Sequence, residues 1–180
     1  MEQTTNFYRI KMEWTREGME GELQKAKTED LALVTSYSEA EKIAYSLIED
    51  ENRTKFGSVN YEIIKTKISE LLYNETLEHD NILVGGLVCN YFTKPEDSGV
   101  GLYSVKVVTS YIDEKTNKVK KQTDTIFTPA ESNSDAAKRI SEFFAKTMQD
   151  FVIRDIKFDK AESILWTPEV QAQKEASNLI

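Results

Sequence analysis

Residues Leu102–Ile164 read LYSVKVVTSYIDEKTNKVKKQTDTIFTPAESNSDAAKRISEFFAKTMQDFVIRDIKFDKAESI, and the order of elements in this stretch decides the fold. Tyr103, Val105 and Val107 alternate with polar residues, the period of a half-buried strand. A charged segment, Asp113–Lys118, follows as a turn, and Lys120–Thr128 returns as a second strand. Pro129 is expected to stop that strand, because proline lacks the amide a ladder needs. Ser134 leads into a helix on which Ala136, Ala137, Ile140, Phe143, Phe144 and Met148 form one apolar stripe. Phe151, Ile153, Ile156 and Phe158 close the block as a third strand. The order is ββαβ.

Working outward, Tyr8–Leu72 has the same parts. Tyr8, Ile10, Met12 and Trp14 share one face of a strand, with Arg9, Lys11 and Glu13 opposite. Gly18 and Gly21 mark a hairpin loop, and Lys25–Thr35 returns from it. Ser36 or Ser38 can cap the next helix, and Ser38 with Glu41 has capping-box spacing. Ala40, Ile43, Ala44, Leu47 and Ile48 form its apolar stripe. Gly57 ends the following turn, and Val59, Tyr61 and Ile63 begin a third strand expected to run on through KTKISELL. Lys106 stands 95 positions after Lys11, Lys160 matches Lys67, and Ser134 and Ala136 match Ser38 and Ala40. The expected fold is therefore α+β, with duplicated ββαβ units whose amphipathic helices pack on antiparallel-rich sheets. The expected divisions are a first unit at 7–72, a connector or insert at 73–101, a second unit at 102–165 and a C-terminal tail at 166–180. Trp14, Leu47, Ile63, Val105, Phe143, Phe144 and Ile156 are the expected core.

The chain has 180 residues, 39% hydrophobic and 30% charged, which suits a globular protein with a real core. The longest apolar run, Asn81–Phe92, is broken by Gly85 and Gly86 and is too short to span a bilayer, so no membrane association is expected. MEQTTNFYRI has neither a basic nor an apolar leader region, so no secretory signal is expected. Cys89 is the single cysteine, which excludes an intramolecular disulfide and points to a reducing, cytoplasmic setting. A net charge of −8 argues against a wholly basic nucleic-acid-binding surface but leaves room for a local basic face.

Most catalytic constellations fail on inventory. One histidine and one cysteine exclude His-rich metal sites and thiolate zinc clusters. No G-x-S-x-G elbow exists, and VGGLV lacks both phosphate-loop patterns. His79 and Cys89 could be read as a nucleophile pair, but Cys89 lies in an apolar run that disfavours its thiolate. The blander reading of the insert is an extra strand or lid segment with a buried structural cysteine. Glu49–Asn52, EDEN, sits at a helix end without an EF-hand frame and reads as a solvated terminus. No catalytic residue, metal or cofactor is expected, and an enzyme is the less favoured class.

The suggestive chemistry is basic. Lys115, Lys118, Lys120 and Lys121 crowd the second hairpin, with Lys106 on the adjacent strand and Tyr103, Tyr111 and Phe127 nearby. Lysines beside aromatics can track a phosphate backbone and stack bases, as single-strand binders do. Lysines at turns and edges also prevent edge-to-edge aggregation, and Asp113, Glu114 and Asp124 partly cancel their charge.

FYRIKMEW, SYSEAE and KTKISEL in the first half, and VKV, DEKTNKVKK, TMQDFVIRDIK and the Lys160 region in the second, carry a family resemblance. The chain resembles domain of unknown function 4494, a family of Bacteroidetes bacteria and their phages and mobile elements, in a two-repeat form. The resemblance covers 7–72 and 102–165 and departs at Tyr73–Gly101, which is longer than the connector it implies. It assigns no catalytic residue and no activity. It implies a phage or mobile-element origin, and with the failed catalytic inventory the expectation is a non-catalytic accessory protein, in the host cytoplasm if phage-encoded. The favoured expectation is a protein–protein binding module acting through a sheet edge or hairpin, with an unidentified protein partner or a second copy of itself. The alternative is a single-stranded nucleic-acid-binding accessory protein using the lysine-rich hairpin. A small enzyme working through the insert is the third.

Overall fold

A computed structural model of the chain describes residues 4–72, 81–84, 86–93, 99–170, 172 and 173. The elements are β1 (Asn6–Glu17), β2 (Leu23–Val34), α1 (Tyr37–Asp50), β3 (Asn60–Lys65), β4 (Glu70–Leu71), β5 (Asn81–Val84), β6 (Leu87–Tyr91), β7 (Gly101–Ile112), β8 (Val119–Ala130), α2 (Asn133–Thr147), β9 (Phe151–Phe158) and β10 (Ser163–Trp166). The fold is α+β. One sheet has the order β3-β1-β2-β10-β6-β5, the other β4-β8-β7-β9. Helix α1 packs on the first and α2 on the second.

The third strand does not run through KTKISELL as the alternation suggests. It ends at Lys65, where the Thr66 amide donates to the Phe7 carbonyl at 2.8 Å, and the chain then changes sheets. The Ser69 amide donates to the Thr125 carbonyl, and β4 lies parallel to β8 with Glu70 opposite Ile126 and Leu71 opposite Phe127. The second half does the same in the other direction. Asp159 donates to the Leu102 carbonyl, Glu162 to the Glu29 carbonyl, and β10 lies parallel to β2 with Ser163 opposite Asp30. The ββαβ order appears in both halves, and each half gives its last strand to the other's sheet. One compact unit thus holds β1–β3, α1, β5, β6 and β10, the other β4, β7–β9 and α2. Trp166, the first residue of the expected tail, ends β10 and is fully buried. The insert supplies the β5–β6 hairpin, which extends the first sheet beyond β10.

Each helix covers its own core. Ala40, Ile43, Ala44 and Leu47 of α1 pack on Tyr8, Ile10, Met12, Ala32 and Val34, joined by Cys89 and Leu165. Ala136, Ile140 and Phe144 of α2 pack on Tyr103, Val105, Val107 and Ile126. Leu47, Val105 and Phe144 are buried as expected, whereas Trp14, Ile63, Phe143 and Ile156 are only partly buried. Ile63 and Ile156 lie on the terminal strands β3 and β9, which have a neighbour on one side only. The apolar spacing in β9 skips from Ile153 to Ile156 because of a β-bulge: Lys106 faces Asp155 while Val107 faces Ile153, leaving Arg154 as the extra residue.

Pro129 does not stop β8, which continues to Ala130. The Leu102 carbonyl points away from β8 toward Asp159, so the nitrogen of Pro129, opposite Leu102, faces the side occupied by β4. That short strand has ended by then, and no ladder donor is missed. Of the two serines offered for the first cap, Ser36 is the one used, and Ser132 caps the second helix. Ser36 accepts from the Glu39 amide at 3.2 Å, and Glu39 reaches back to the Thr35 amide at 2.9 Å. Ser132, Asp135 and Glu131 repeat this reciprocal cap before α2.

Candidate functional site

Strand β9 accompanies β7 only as far as Thr109, and β4 accompanies β8 only at Ile126 and Phe127. Beyond Ser110 and Lys121 the β7–β8 hairpin therefore projects as a two-stranded ribbon. Asp113 organises its turn. Its carbonyl accepts from the Asn117 amide at 2.7 Å, its amide donates to the Lys118 carbonyl at 2.9 Å, and its Oδ1 accepts from the Lys115 amide at 2.9 Å. Asn117 takes the left-handed conformation at φ 54°, which asparagine tolerates. The Lys120 ammonium lies 2.6 Å from Asp113 Oδ2 and holds that carboxyl below its usual range, with the Lys115 amide helping.

All five lysines singled out from the sequence are exposed. They do not form one patch. Lys115 and Lys118 occupy the turn, while Lys120 and Lys121, being successive strand residues, point to opposite faces. Lys120 pairs with Tyr111 on the face that carries α2 farther along. Lys121 pairs with Ser110 and shares the opposite face with Lys106. Lys106 lies on β7 at the middle of the sheet between Thr125 and Asp155, about 13 Å along the strand from Ser110. Of the nearby aromatics, Tyr103 and Phe127 are buried and only Tyr111 is open, at 44%. Ile112 and Val119, directly paired at the base of the turn, are 64% and 68% exposed.

A second constellation lies in the first sheet and was not singled out from the sequence. Asp30 of β2, Ser163 of β10 and Tyr91 of β6 fall in one row across three strands, on the face beneath α1. Asp30 is 5% exposed. Its Oδ1 accepts the Ser163 hydroxyl at 2.5 Å, and its Oδ2 has no hydrogen-bond partner among the described residues. Burial pushes the carboxyl up to about 6, against the pull of the Ser163 hydrogen bond and the Arg53 charge. Arg53, itself buried, is engaged elsewhere. It lies 4.1 Å from the Trp14 ring centroid, donates twice to Glu51 Oε2 at 2.9 and 3.1 Å, and approaches Met12 Sδ at 3.0 Å. Burial also raises the Cys89 thiol, partly offset by hydrogen bonds with Tyr91 and Ser163, and raises the Tyr91 hydroxyl.

Asp30, Ser163 and Cys89 are enclosed, while Tyr91 at the end of the row is 40% exposed. The Cys89 thiol is 1% exposed and burial disfavours its thiolate, which weighs against a nucleophile there. His79 lies outside the described residues. Among the described residues no cluster of three or more His, Cys, Asp or Glu side chains could hold a metal ion. In the EDEN segment, Glu51 is taken by Arg53 and Asn52 forms a left-handed turn at φ 49°. The sequence did hold a signal for Asp30. Registering Ala32 on Thr128, which pair with the matching tyrosines Tyr8 and Tyr103, sets Asp30 against Ile126. The chain places a carboxylate where its own second half places an isoleucine.

The class these observations define is an α+β protein of two helix-covered sheets that exchange their last strands. Residues 6–167 match the family described as domain of unknown function (DUF4494), and the chain belongs to that family. No curated protein matches it. No helix among the described residues is long and apolar enough to cross a membrane.

Proposed function

We propose that this protein is a non-catalytic macromolecular binding module whose contact surface is the projecting end of the β7–β8 hairpin. The observation that carries the reading is the exposure of Tyr111, Ile112 and Val119 on a ribbon with no further sheet neighbour among the described residues, bordered by Lys115, Lys118, Lys120 and Lys121. Apolar side chains held open beside cations suit a protein surface with an apolar centre and an acidic rim. A phage or mobile-element setting among Bacteroidetes rests on the family resemblance. The test places a photo-crosslinking residue at Val119 and, as control, at Arg154, in cells that produce the protein natively. A discrete adduct from position 119 that is lost on Ile112→Asp supports the reading. Equal labelling from both positions, or an adduct indifferent to Ile112→Asp, overturns it.

The nucleic-acid reading is favoured by the exposure of all four hairpin lysines and opposed by the burial of Tyr103 and Phe127, which leaves one open aromatic for stacking. Fluorescence anisotropy with a labelled oligothymidine at low salt separates the two. On this second reading, replacing the four lysines with alanine weakens binding and flattens the salt slope by about 0.7 for each phosphate that is no longer neutralised. No binding by the unmodified protein at low salt eliminates it.

A further inference from the structure

Asp30 and Ser163 occupy matched positions on β2 and β10, the two strands that the parallel crossover brings together. The same two positions in the other sheet hold Ile126 and Glu70. Strand β10 is four residues long and lies between β2 and β6, so the β5–β6 hairpin joins the rest of its sheet only through β10. Asp30, Ser163 and Ile10 are 5%, 1% and 0% exposed, and Tyr91, at the far end of the row, is 40% exposed. A neutral carboxylic acid suits this enclosure, accepting from Ser163 through Oδ1 and keeping its proton on Oδ2. An ionised one has a single hydroxyl on one oxygen and, among the described residues, no partner on the other, which a low-dielectric site opposes.

We propose that the enclosure of Asp30 against β10 forms an acid-favoured clasp that secures β10 in the first sheet, and that loss of the Asp30 proton loosens β10 from β2, because ionisation costs more in desolvation than the strengthened Ser163 hydrogen bond returns. The groups facing Asp30 set its range. Strand β10 and its approach contribute Ser163 and Glu162, the segment after α1 contributes Glu51 and Arg53, β6 contributes Cys89 and Tyr91, and β1 contributes the uncharged Ile10. Glu162 and Glu51 reinforce the effect of burial, and Arg53 opposes it while bound to Glu51. With the carboxyl raised from 3.8 to about 6, the clasp is at full strength below about pH 4. It weakens as pH rises toward 6 and changes little above that.

The test is amide hydrogen exchange of Ile164, Leu165 and Trp166 at pH 4.5 and pH 7, corrected for intrinsic rates. The internal reference is Leu72, whose amide donates to the Phe127 carbonyl beside the matching strand β4. Relative to Leu72, protection in β10 is expected to fall about tenfold to thirtyfold between the two pH values. Asp30→Asn, which keeps a partner for Ser163 without a titrating group, should abolish the fall. Ser163→Ala, which removes the hydrogen bond favouring the ionised form, should move its midpoint to higher pH. A fall shared equally by Leu72, or one that persists in Asp30→Asn, overturns the proposal. Should Asp30→Asn fail to fold, an unmoved midpoint in Ser163→Ala overturns it. So does a carbon-detected titration of the Asp30 carboxyl in the unmodified protein with its midpoint at the ordinary aspartate value.

Discussion

Asp30→Asn is expected to stabilise the protein at pH 7 and not at pH 4. A folded carboxyl raised from 3.8 to about 6 carries a penalty on ionisation that is absent below the unfolded value and complete above the folded one. The difference is on the order of 2–3 kcal/mol, which urea unfolding at the two pH values measures directly. Phe144 offers a contrast from the other core. It is 5% exposed, stacks on Phe151 at 4.9 Å between centroids and meets Phe143 edge-on at 5.1 Å. Phe144→Ala should cost about 3–5 kcal/mol, and Phe143→Ala less because that ring is only partly buried. The two sites differ in how plainly the sequence announces them. Phe144 belongs to a stripe whose 3.6-residue period is visible in isolation. Asp30 sits on an inward position of an alternating strand, and its burial depends on β10, more than a hundred residues away.

At the scale of elements, the reciprocal caps are the most local feature and the easiest to test. Ser36→Ala and Ser132→Ala should each lower stability by about 1 kcal/mol in thermal melts, since each serine satisfies an otherwise unpaired helix amide. Sequence spacing alone fits both Ser36–Glu39 and Ser38–Glu41. The first is selected because Ser36 holds the extended backbone, φ −149°, that a cap requires. Strands, helices and hairpins were legible in this way because period and turn chemistry are properties of neighbouring residues. The change of sheet at Thr66–Ser69 was not, because alternation says which face a residue takes and nothing about which strand lies beside it. The lysine hairpin was legible as exposed for the same local reason. Its division between two faces follows from the period of two once the register is fixed.

At the scale of the whole molecule, the consequence to test is the dependence of the first sheet on β10. Leu165→Pro removes an amide from a strand paired on both sides and is expected to cost at least the about 1–3 kcal/mol of a buried carbonyl left unpaired, read in thermal unfolding. The native proline of β8 is tolerated only because its nitrogen lies where β4 has ended. The exchange also imposes an order on birth. As the chain leaves the ribosome, β2 emerges complete at Val34, and its partner β10 begins roughly 130 residues later. At about 5–20 residues per second that interval is roughly 6–26 s, during which one edge of β2 has no native neighbour. A nascent chain of this design is exposed to mispairing until β10 has been translated. Its yield in a cell is therefore expected to depend on translation speed and on chaperones that shield open strand edges.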